Sequence, residues 1–80
     1  MGLNQIHARR DRVSQTLQPY LGSTLARERA NNIAQAMVLG SDDAAEVARV
    51  MLSRCPVPDV GAVAEEVGRA WRMGEYRDQH

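Results

Sequence analysis

Lysine and phenylalanine are absent from this 80-residue chain, aromatics amount to 4%, and cysteine and tryptophan occur once each. Each shortage excludes something. One cysteine forbids an internal disulfide framework and a Cys-rich zinc site. Without lysine, and without GxGxxG or GxxxxGK[ST], no phosphate loop can be built. Uninterrupted apolar runs reach only a few residues, far below the ~20 that span a bilayer. No apolar stretch follows Arg9 and Arg10 as in a secretory signal, and Ile6 stands where myristoylation wants Ser or Thr. The expected setting is therefore cytoplasmic, with no membrane partner. Missing phenylalanine and scarce threonine argue against a sheet.

What is present favours helix: eleven alanines and six leucines, with 25% of the chain charged. The length accommodates one domain, residues 1–80, whose core supplies about 3–5 kcal/mol net. Large apolar side chains number 23, eight of them valine, so the core is thin and we expect a homodimer to complete it. All ten basic residues are arginine and balance ten acids. The halves differ: residues 1–40 hold five arginines against two acids, and residues 41–80 hold five against eight. A chain polarised in this way can offer a basic face to one partner and an acidic face to another.

Punctuation divides the chain into four helical segments. The first covers about 4–18, with Leu3, Ile6, Val13 and Leu17 on one stripe and Arg10 inside it; Pro19 should end it, and Tyr20-Leu21-Gly22 then make a turn. The second starts at Ser23 or Thr24, repeats Ala26, Ala30, Ile33, Ala34 and Met37, and ends at Gly40, which fits the left-handed C-terminal position. The third opens at Asp43, with Glu46 at capping-box spacing. Its predicted stripe is Ala44, Val47, Ala48 and Met51, its wet face Asp42, Glu46, Arg49 and Ser53. The run Cys55-Pro56-Val57-Pro58 stops it. Asp59 caps the fourth, whose face is Val60, Val63, Ala64, Val67, Ala70 and Trp71. Gly68 is placed to let another backbone come near, Gly74 should terminate, and 75–80 reads as a frayed tail. The fold class predicted is all-α, a compact bundle of about four short amphipathic helices.

The chemistry-bearing residues are few. The histidines are His7 and His80, and a terminal imidazole does not hold the ~3 Å geometry of a general base. His7 and Asp11 at i,i+4 make half a metal site with no second half, so neither metal nor cofactor is expected. Cys55 reads as a small buried hydrophobe. Asp42, Asp43 and Glu46 lack the spacing of a calcium loop; they cap a helix or form an acidic docking patch. The spacing of Ala36 and Gly40 suits a helix-turn-helix, but a recognition helix opening on Asp42 and Asp43 would repel phosphate. Arg9, Arg10 and Arg12 form the basic candidate face. Trp71 reads as core or as an interface anchor.

These features predict a non-catalytic interaction protein. Arg9, Arg10 and Arg12 would meet an acidic surface, and Asp42, Asp43, Glu65 and Glu66 a basic one, with Trp71 as an anchor. Small proteins encoded by phages and mobile elements, anti-CRISPR inhibitors among them, share this profile of a short single domain without a catalytic set. That likeness is one of size and style and is carried by no motif. It points to an inhibitor that blocks a partner, such as a nucleic-acid-binding complex, by occupying its surface. The alternative is a DNA- or RNA-binding accessory protein using the arginine-rich first helix.

Overall fold

A computed structural model describes the backbone of residues 2–78 and the side chains of residues 2–73. Three helices and no strand occur among them: α1 (Leu3–Val38), α2 (Ala44–Leu52) and α3 (Val60–Asp78). The all-α expectation holds, and the expected count of four is replaced by three. The first two predicted segments belong to one element, because Pro19 does not end it. The helical backbone carries on past Pro19 to Leu21 and breaks at Gly22, the last residue of the predicted turn. The turn comes at Gly22, where φ is 80° and ψ 167°, a combination open essentially to glycine.

That one residue folds α1 on itself. A straight 36-residue helix would be about 54 Å long, whereas the molecule's longest extent is 34 Å. Ile6 and Val38, near opposite ends of α1, consequently border the same concavity. The second limb ends as expected at Gly40, with φ 122°. There Ser41 N–H donates to the Ala36 carbonyl (3.1 Å) and Gly40 N–H to that of Met37 (3.3 Å), a Schellman closure. The remaining helix starts are capped by the predicted aspartates. Asp43 Oδ1 accepts from the N–H groups of Ala45 (3.0 Å) and Glu46 (3.3 Å), and Asp59 Oδ1 accepts from that of Ala62 (3.1 Å). The backbone of α3 runs through Gly74 to Asp78, so Gly74 is not its terminator. The side chains of 74–78, and all of residues 79–80 including His80, lie outside the described structure.

The core gathers Val13 and Leu17 from the first limb of α1, Ala26, Ala30, Ile33 and Ala34 from the second, Ala44, Ala48 and Leu52 from α2, and Val63, Ala64, Val67, Ala70 and Trp71 from α3. Helix-period reading found most of these. Two corrections concern its edges. Leu3, assigned to the first stripe, is exposed, because it stands on the first turn beyond the reach of α3. In α2 the inward face is Ala44, Ala45, Ala48 and Leu52, while Val47 and Met51 are only half covered. The rotation follows from Gly68. A Cβ there would lie 2.9 Å from the Ala45 Cβ, so the missing side chain lets α2 settle onto α3 along its alanines, as the spacing predicted.

Candidate interaction surface

The arginine-rich start of α1 does not form the open basic face expected of it. Arg10 was expected inside the apolar stripe, but the arginine turned inward is Arg9, which meets the indole of Trp71. Arg9 is buried, with its guanidinium carbon 5.5 Å from the Trp71 ring centre, a cation–π arrangement strengthened by the lack of water around it. Trp71 is itself 4% exposed. Arg9, anticipated at a partner interface, is thus turned toward the chain's own interior, and of the two readings of Trp71 the core one holds. Arg10 is half-buried and meets Asp11, its neighbour in sequence, at 3.0 Å. Arg12 is half-buried, with its Nε enclosed.

The acidic candidates separate into two groups. Glu66, half-buried on α3, receives the Tyr20 hydroxyl, 3.3 Å from each of its oxygens. The bond ties the first limb of α1, two residues before the elbow at Gly22, to α3. Partial burial, followed by the charge and hydrogen bond of Glu66, raises the Tyr20 phenol above its ordinary value of 10.0. Glu65 is exposed beside it. Asp42 and Asp43 lie instead at the α1–α2 corner, where Glu46 joins them. The structure therefore does not bring the eight predicted residues into one site.

That corner is the most distinctive surface of the molecule. A groove of about 370 Å³ runs there between the end of α1 and α2, lined by Ala36 and Ser41, by Val47, Val50 and Met51, and by Asp42, Asp43 and Glu46. Asp42 also borders two adjoining concavities that reach Trp71, one beside Arg72 and the other beside Arg9 and Ile6. Large apolar side chains stand in the open on these two elements: Val50, on the groove, is 69% exposed, and at the end of α1 Leu39 is 79% and Val38, on the concavity beside Arg9, 58% exposed. Sequence reasoning passed over all three. The available signal was in the segment 44–52, where seven of nine residues are apolar, more than one buried stripe can absorb.

Cys55 is half-buried against the core. Arg29 Nε–H donates to its Sγ (3.5 Å), and the thiol donates to the Met51 carbonyl (3.8 Å). His7 is exposed. Among the described residues no group of three or more His, Cys, Asp or Glu side chains is placed to hold a metal ion. No helix there is long and apolar enough to cross a membrane. Comparison with protein-family models, with curated proteins and with solved structures yields no match.

Proposed function

We propose that this chain is a non-catalytic protein–protein interaction module that acts by occupying its partner's surface with the α1–α2 corner. One observation carries the reading: Val50, 69% exposed, joins the half-buried Val47 and Met51 on a groove edged by Asp42, Asp43 and Glu46. An apolar patch rimmed by polar groups marks an interaction site more often than an idle surface. An inhibitory role fits such a module, since blocking requires occupancy alone. The nucleic-acid alternative draws less from the geometry, because the arginines of the first limb are buried, paired or partly enclosed. A phosphate backbone is best met by a displayed row of cations.

The test is affinity capture from the native host with the wild-type chain and with Val50→Arg, each confirmed folded by circular dichroism. A discrete protein retained by the wild type and lost with Val50→Arg is the expected result. Retention that is indifferent to Val50→Arg and to Leu39→Ser, or recovery of nucleic acid alone, rejects the proposal.

A further inference from the structure

α2 carries more apolar surface than this chain hides. Ala44, Ala45, Ala48 and Leu52 face inward, yet Val47 and Met51 are half covered and Val50 is 69% exposed. Val47, Val50 and Met51 follow one another at three- to four-residue spacing and so share a second face of the helix. A helix that is apolar on nearly every side belongs in an interior or against a partner. Together with Ala36 across the groove, these side chains make an apolar floor, and the charged groups on its walls are Asp42, Asp43 and Glu46.

We infer that the occupant of this groove is a basic amphipathic helix of another protein. Its apolar ridge rests on Val47, Val50 and Met51, and its flanking lysines or arginines meet Asp42, Asp43 and Glu46. The inference rests on the interaction-module reading and supplies the partner's chemistry. Shape favours it, because a trough between two helical elements accepts apolar anchors at i, i+3, i+4 and i+7. Charge favours it too, since three carboxylates around one apolar floor attract cations and repel acidic partners. A second copy of this chain fits less well. A two-fold interface brings two copies of the same patch together, so both sets of Asp42, Asp43 and Glu46 would crowd one interface. Nucleic acid is opposed by the same carboxylates.

The experiment titrates the 15N-labelled full chain with a synthetic helical peptide carrying leucines at i, i+3, i+4 and i+7 and lysines elsewhere. A second peptide has glutamate at every lysine position. Expected are amide shifts confined to residues around Ala36 to Met51 with the lysine peptide, and affinity for the glutamate peptide at least about tenfold weaker. Asp42→Asn and Glu46→Gln should each weaken lysine-peptide binding by about three-fold, with further loss on raising salt. Both side chains are exposed, and the capping Asp43 is left intact, so the fold survives. Equal affinity for the two peptides, shifts elsewhere on the chain, or no shift with either overturns the basic-helix assignment. A host partner lost with Val50→Arg in that event keeps the docking face and rejects only this class of occupant.

Discussion

The two sides of α2 are built from similar apolar residues and meet opposite fates. On the inner side, Ala44, Ala45 and Ala48 lie against α3 so closely that Gly68 has no room for a Cβ beyond Ala45. On the outer side, Val47, Val50 and Met51 are larger and line an open groove. Small residues bring backbones together and need little neighbouring volume, whereas bulky ones need a partner to fill around them. The chain supplies that partner on one side only. Hydrophobicity alone therefore does not tell which surface a helix buries; side-chain size against the facing helix does.

The inner side is where this contrast breaks most severely. Leu52 is fully buried at the end of that face. Leu52→Ala should cost about 2–5 kcal/mol, comparable with the whole ~3–5 kcal/mol expected of so small a core. A largely unfolded chain by circular dichroism is the expected outcome. Gly68→Ala comes next. It gains roughly 1 kcal/mol of helix propensity but loses about 1–3 kcal/mol to overpacking, because the atom it meets is the Ala45 Cβ at 2.9 Å, with the Ala45 backbone nitrogen at 3.4 Å. Neither can swing aside. A net loss of about 1 kcal/mol would lower Tm by roughly 4–8 °C. Adding Ala45→Gly should recover part of it, and strict additivity in that double-mutant cycle would mean the two residues do not meet.

The same distinction explains what the sequence made legible. Helical periodicity and caps are local, so the stripes, Gly40, Asp43 and Asp59 could all be read from residue spacing. The close approach at Gly68 was readable as a missing side chain in an apolar run. Pro19 marked the break to within three residues, since the helix runs past it to Leu21 and yields at Gly22, the end of the predicted turn. The stripe of their own helix pointed to Arg10, whereas the buried arginine is Arg9, because the answer lies on Trp71, 62 residues away in sequence. The exposed corner escaped notice for a related reason: whether Val50 is covered depends on what α1 and α3 leave vacant.

Tyr20 and Glu66 allow a smaller, pH-dependent test on the inner side, away from α2. The phenol's folded pKa lies above its unfolded value of 10.0. Its contribution to stability is therefore complete below pH 10 and is lost as pH rises through the folded pKa. Stability should be indifferent to this group across neutral pH and decline on the alkaline side. Tyr20→Phe should remove that alkaline component and cost less at neutral pH than Gly68→Ala, because a hydroxyl 3.3 Å from both acceptors makes a long bond. An alkaline decline of equal size in Tyr20→Phe, measured by urea titration at several pH values, would assign it elsewhere.

The smallest effect on folding is the one that sharpens the contrast furthest. Val50→Ser removes a side chain that is mostly in water, so its stability should stay within about 0.5 kcal/mol of wild type. Helix propensity changes little, since serine and valine are near neighbours on that scale. If Val50 served the fold, the substitution would lower Tm as a core truncation does. If it serves a partner, Tm is preserved while capture of the host protein falls. Placing the same change at Leu52, two residues along the helix and inward, reverses the pattern: folding is lost before binding can be asked about. Two positions on one helix thus separate a side chain that the chain buries from one it leaves in water, and the paired measurement of Tm and capture tells whether the second serves a partner.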